Sequence, residues 1–209
     1  MDFGSINPFV LVASLMVASV PIILAAIGEL VVEKAGVLNL GVEGMMIMGA
    51  ICGFVTAVET GNPYLGFVGG AAGGAALSLI FAFLTQSLLA NQVATGLALT
   101  LFGLGLSSLI GQSYVGIKPP LTPEVPFGPL ADIPGLGVVL FQHDWVVYFS
   151  ILLIAAVAWV LKKARLGLIL RAVGENHEAA HALGYKVQRI RLLAILFGGA
   201  MAGMGGAYI

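Results

Sequence analysis

The sequence predicts an all-α, polytopic transmembrane helix bundle, and three observations predict it. The 209 residues are 59% hydrophobic and only 9% charged, with a mean hydropathy of +1.05. A soluble domain usually carries about a quarter charged residues, so this chain could not cover its own surface in water. Six apolar runs, separated by polar or turn-forming breaks, are long enough to be crossings. Seven of the nine Lys and Arg residues crowd into one stretch, residues 162–191. The whole chain, residues 1–209, reads as one transmembrane domain.

Residues 8–27 form the first run, roughly 20 residues, enough for one crossing at about 1.5 Å per residue. Met1-Asp2-Phe3-Gly4-Ser5 lacks the positive residues of a signal peptide, so this run is expected to be retained. Pro21 inside it is tolerable where neighbouring helices satisfy the backbone. Residues 28–43 mix Glu29, Glu33, Glu43, Lys34 and Asn39 with apolar residues. That stretch is too polar to span and too apolar for a plain solvent loop. A short apolar run at 44–58 and a turn at 59–63 follow.

Residues 64–84 are the third crossing. Gly66, Gly70 and Gly74 stand four apart, the small-xxx-small spacing that lets helix backbones approach closely. Tyr64, Phe81 and Phe102 are expected to pack against lipid or helices. A polar break at 85–95 holds Gln86, Asn91 and Gln92, and 96–111 is the fourth run. Residues 112–145 hold six of the nine prolines, Pro119, Pro120, Pro123, Pro126, Pro129 and Pro134. They forbid a regular spanning helix, and an outer-face loop is expected. Residues 146–161 cross back between Trp145 and Trp159, as interfacial tryptophans do. Residues 192–209 begin a last crossing, with Gly199 and Gly203 at packing distance in sequence. That run ends inside apolar sequence, which suggests a C-terminally truncated fragment.

Positive residues favour the cytoplasmic side. Placing 162–191 inside puts 112–145 outside, 85–95 inside, 59–63 outside, 28–43 inside and the N-terminus outside. Lys118 alone is then misplaced. The net charge of −1 does not suggest a nucleic-acid partner. Cys52, the only cysteine, stands among small apolar neighbours and reads as a packing residue.

Within residues 162–191, Asn176 suits an N-cap, and 177–183 can form about two turns. Glu178 near the start and Lys186 past the end suit the helix dipole, and Gly184 can take the left-handed C′ position. Ala179, Ala180 and Leu183 make a small, smooth face fit for a partner's groove. His177-Glu178-Ala-Ala-His181 also matches the H-E-x-x-H zinc-protease signature. Val187, however, stands where the third histidine of the longer pattern belongs. No Asp, Glu, His or Cys follows His181, and His143, Asp132 and Asp144 fall on the expected opposite face. A catalytic zinc normally needs three protein ligands.

Glu178-Ala-Ala-x-x-x-Gly184 resembles the E-A-A-x-x-x-G loop of the membrane subunits of ATP-binding-cassette importers. Gly174-Glu175-Asn176 before it, and Phe197-Gly-Gly-Ala-x-Ala-Gly203-x-x-Gly206 after it, resemble the branched-chain amino acid, ribose and nucleoside permeases. Gly28-Glu-Leu-x-x-Glu33-Lys-Ala-Gly-Val-Leu-Asn39-Leu-Gly-Val-Glu43-Gly-Met-Met is similar to the nucleoside and simple-sugar type in particular. Ala90-Asn91-Gln92-Val-x-x-Gly96-Leu-Ala-Leu fits the same group. The Leu-Pro that often closes the importer loop elsewhere is absent.

The resemblance implies a multi-pass permease of a bacterial plasma membrane that is not itself an enzyme. Gly174, Glu175, Asn176, Glu178, Ala179, Ala180 and Gly184 would couple it to an ATPase subunit. The chain carries no phosphate-cradling Gly-x-x-x-x-Gly-Lys-Ser/Thr loop, so hydrolysis would come from that partner. A second permease subunit and an extracytoplasmic solute-binding protein would complete the importer, with no cofactor in this chain. The solute expected is a nucleoside or simple sugar.

Candidates for the substrate path are Asn39, Glu43, Asn91 and Gln92, near a break expected at residues 36–44. A carboxylate such as Glu43 costs about 2.5–3.5 kcal/mol at mid-bilayer, so it should face a wet cavity or the interface. The contrary reading is that Glu29, Glu33, Lys34 and Glu43 are only interfacial charges. Two further readings of the whole chain stay open: a membrane zinc peptidase using His177, Glu178 and His181, and a secondary transporter.

Overall fold

The computed structural model describes residues 7–123, 125, 127–128 and 136–209. Met1 to Ser5, Pro126, Pro129, Asp132 and Pro134 lie outside the described residues. Among those described, six helices are long and apolar enough to cross a membrane, and the regular structure is helical throughout.

Helix α1 runs Pro8–Lys34. Asn7 caps it, its side-chain oxygen accepting the Phe9 N–H at 3.0 Å, and Pro8 sits at the first position, where a missing N–H costs nothing. The helix runs seven residues past the expected end of the first crossing. Gly28 and Val32 are buried on its inner face, while Glu33 and Lys34 face out. The polarity of 28–34 is therefore one face of a helix, not a loop. The break falls at residues 35–41, and α2 follows as Val42–Thr60, with Glu43 in the first turn, where the dipole favours an anion.

Gly61 takes φ +65° and ends α2. Asn62 caps α3, Pro63–Ala82, accepting the Tyr64 N–H at 2.9 Å. A π-helical turn, Phe83–Ser87, prolongs α3 into the expected break, and α4 covers Gln92–Gly111. The described part of 112–145 contains a 3₁₀ turn at Gln112–Tyr114 and a short α5, Leu136–Leu140. Asp144 caps α6, Trp145–Lys163, and accepts the Tyr208 hydroxyl at 2.6 Å. Two further helices, α7 (Arg165–Glu175) and α8 (His177–Ala182), precede α9, Val187–Tyr208.

Glycine joins the central helices. A Cβ at Gly70 would stand 2.9 Å from the Gly203 carbonyl oxygen, and one at Gly74 would meet the Gly203 Cα at 2.7 Å. A Cβ at Gly28 would come within 2.8 Å of the Gly198 oxygen. Only hydrogen fits at such separations, so α3 and α1 close on α9 backbone to backbone. Val32, Met45, Leu77, Phe81, Leu99 and Ile195 fill one core cluster. Val20, Leu24, Phe67, Val146 and Val147 fill a second. Leu15, Ile22, Leu101, Leu109 and Leu152 point outward and are exposed, as lipid-facing residues must be.

Candidate functional site

The polar stretch between α6 and α9 is two helices joined at one residue. Asn176 ends α7 and begins α8 in extended conformation, φ −150° and ψ 95°. Its Oδ1 accepts the Ala179 N–H at 2.9 Å, satisfying one orphan donor. Glu178 lies in the first turn of α8 and His181 in the last. The end of α8 is a Schellman motif. Gly184 N–H donates to the His181 carbonyl at 2.9 Å, and Tyr185 N–H to the Ala180 carbonyl at 3.1 Å. Gly184 has φ +87° with open space around it, so its conformation, not crowding, calls for glycine.

The smooth face expected of α8 needs one correction. Ala180 is 2% exposed and faces the body of the protein. The exposed surface is made by His177, Glu178, Ala179, His181, Ala182 and Leu183. A two-turn helix must root one side, and Ala180 is that side.

Two contacts root the loop in the membrane helices. A Cβ at Gly174 would collide with the Lys34 carbonyl and stand 3.0 Å from the Gly36 nitrogen. The end of α7 therefore rests directly on the turn after α1, where Gly36 takes φ +76°. Arg191, on the first turns of α9, donates its Nε–H to the Ala35 carbonyl at 3.1 Å. Neither pairing is visible in the sequence, where Arg191 is one of seven clustered cations.

The turn at 35–41 is held from the other side too. Asn39 is buried. Its backbone N–H donates to a Glu29 carboxylate oxygen at 3.1 Å, and its Oδ1 accepts the Gly41 N–H at 3.0 Å. The Gln92 side-chain oxygen accepts the Leu38 N–H at 2.8 Å. Asn91 caps α4, accepting the Ala94 N–H at 3.0 Å. Three of the four polar candidates for the substrate path thus hold backbone in place. Glu43 is exposed.

These elements surround a cavity of about 730 Å³ whose lining includes Gln86, Gln92, His177, Glu178, Lys186 and Arg189. It joins α8, the π-turn after α3 and the head of α9. Gln86 presents a buried side-chain nitrogen without a partner. His177, Glu178 and His181 also border this cavity. Among the described residues, no group of three or more His, Cys, Asp and Glu side chains is gathered as a metal site would require.

Comparison with known proteins fits this architecture. The family described as the branched-chain amino acid transport system permease component matches residues 11–209. TsgC13 of Haloferax volcanii, provisionally named a glucose ABC transporter permease protein, is 42% identical over 92% of this chain and 60% of its own length. The nucleoside ABC transporter permease protein NupC of Lactococcus lactis is 33% identical over 95% of this chain and 66% of its own. The guanosine ABC transporter permease protein NupQ of Bacillus subtilis is 34% identical over 99% of this chain and 68% of its own. The chain therefore spans about two thirds or less of the length of the first relatives it matches. No solved structure matches it. With six membrane-crossing helices and a family match over almost its whole length, the chain is a multi-pass membrane protein and belongs to the branched-chain amino acid transport system permease family.

Proposed function

We infer that this chain forms the translocation path of an ATP-driven importer and is moved by a separate ATPase subunit that grips α8. The carrying observation is the double rooting of the α7–α8 loop. Gly174 rests on the Lys34–Gly36 turn, and Arg191 holds Ala35, while most of α8 stays exposed. Force applied to α8 reaches α1 and α9 through these contacts. In this reading Glu175, Glu178 and Ala179 meet the ATPase, Asn176 and Gly184 set the helix ends, and Gly174 and Ala180 anchor it. The N-terminus lies outside, where a solute-binding protein delivers substrate, and a second permease subunit completes the path.

The solute is a nucleoside or a simple sugar. The relatives TsgC13, NupC and NupQ carry glucose, nucleoside and guanosine in their names, which supports that class. The solute passes by the break between α1 and α2, where Glu43 is an exposed carboxylate in the first turn of α2. Uptake of labelled nucleosides and hexoses by cells carrying the complete importer tests this reading. Glu178→Lys and Gly184→Val should abolish uptake and ATPase co-purification while membrane insertion is retained. Normal transport by both variants would overturn it.

A further inference from the structure

A second feature of the loop points to the bilayer instead of a protein. Helix α7 is strongly amphipathic. Its apolar side, Leu166, Ile169 and Leu170, borders a groove of about 450 Å³ completed by Leu153, Val157 and Phe197. The groove is open and apolar, and it runs along the end of α6. At its rim the chain turns through Lys162, Lys163, Ala164 and Arg165, and all three cations are exposed. Among the described residues none of the three is paired with a carboxylate. The corner is tight, because a Cβ at Gly167 would collide with the Val160 carbonyl. Two lysines and an arginine thus stand on a tight backbone corner beside an apolar trough.

We propose that this groove binds one anionic phospholipid of the cytoplasmic leaflet, its phosphate held by Lys162, Lys163 and Arg165 and an acyl chain laid along Leu153, Val157 and Leu170. Charge complementarity selects the occupant. Clusters of Lys and Arg at the cytoplasmic end of a spanning helix attract anionic headgroups, and the amphipathic helix beside them lies in the interface plane. The opposite end of α7 carries Gly174, packed on Gly36, and Asn176, which caps α8. A lipid seated here fixes the near end of the element whose far end positions α8. The site stands whether or not α8 engages an ATPase.

Native mass spectrometry of the full-length permease from mixed phosphatidylglycerol and phosphatidylcholine nanodiscs tests the proposal. Wild type should retain phosphatidylglycerol with a preference on the order of tenfold or more, given the attraction each surface cation contributes. The triple variant Lys162→Gln, Lys163→Gln, Arg165→Gln should lose that preference. Ala156→Trp, which keeps the charges and fills the groove, should lose photocrosslinking from an acyl-chain diazirine to the α6–α7 corner. Equal retention of both lipids, an unchanged preference in the triple variant, or crosslinking unaffected by Ala156→Trp would overturn it. So would occupation of the groove by another part of the protein.

Discussion

The Nε–H of Arg191 donates to the Ala35 carbonyl at 3.1 Å across 156 positions of sequence. It ties the head of the last helix to the turn behind the first, beside the place where Gly174 meets Gly36. Those two contacts make the α7–α8 loop part of the membrane bundle instead of an appendage.

Arg191→Gln should loosen that tie. A hydrogen bond from a charged donor is worth about 1.5–3 kcal/mol, and the carbonyl of Ala35, which is buried, loses that donor. Transport should fall several-fold while insertion and expression persist. Limited proteolysis of the 165–186 region should become faster. Unchanged proteolysis and transport would show that the loop is held by other means.

Gly174→Val should be more severe than Arg191→Gln, because its side chain would run into the Lys34 carbonyl. Gly203→Leu should prevent assembly of the bundle, since α3 backbone occupies the space beside Gly203. Overpacking usually costs about 1–3 kcal/mol, and more where backbone is the obstacle. Gly105→Leu is the control, because open space surrounds Gly105. Detergent thermal-shift measurement should place Gly203→Leu lowest, then Gly174→Val, then Arg191→Gln, with Gly105→Leu near wild type.

Asn39→Ala separates a structural role from a substrate-binding one. Its Oδ1 is an acceptor for the Gly41 N–H, and leaving a buried donor unpaired costs about 1–3 kcal/mol. The melting temperature should drop, while the KM for transported solute in the surviving protein should stay within twofold. A raised KM at unchanged stability would place Asn39 on the substrate instead.

Asn176→Ala should cost α8 about 0.5–2 kcal/mol, and Asn176→Asp should restore most of it, since either side chain can accept the Ala179 N–H. Hydrogen exchange at Ala179 and Ala180 reads the difference. Equal protection in wild type and Asn176→Ala would show that packing of Ala180 alone holds the helix.

Much of the frame was legible from sequence for local reasons. Proline at the first turn and asparagine before it mark the starts of α1 and α3, and glycine spacing marks the α3–α9 contact. Gly184 after two polar turns marks the end of α8. What escaped depends on partners distant in the chain. Glu29, Glu33 and Lys34 look like a loop until Val32 and Gly28 are seen to bury the opposite face of the same helix. The 3.6-residue apolar rhythm of Leu166, Ile169, Leu170 and Val173 was present in a stretch read for its charge. Asn39, Asn91 and Gln92 were legible as polar groups near the break, but nothing local revealed the backbone groups at Gly41, Ala94 and Leu38 that they also serve. Ala180 was indistinguishable from Ala179 until the body of the protein chose which side to cover.

Thiol accessibility at the exposed side of α8 tests the central claim most directly. In a Cys52→Ala background, Ala179→Cys should react with a membrane-impermeant maleimide in inside-out vesicles and not in intact cells. Addition of the ATPase subunit should then protect it. Labelling from outside intact cells, or labelling from inside that the ATPase leaves unchanged, would contradict the assignment of α8 as the grip for the motor.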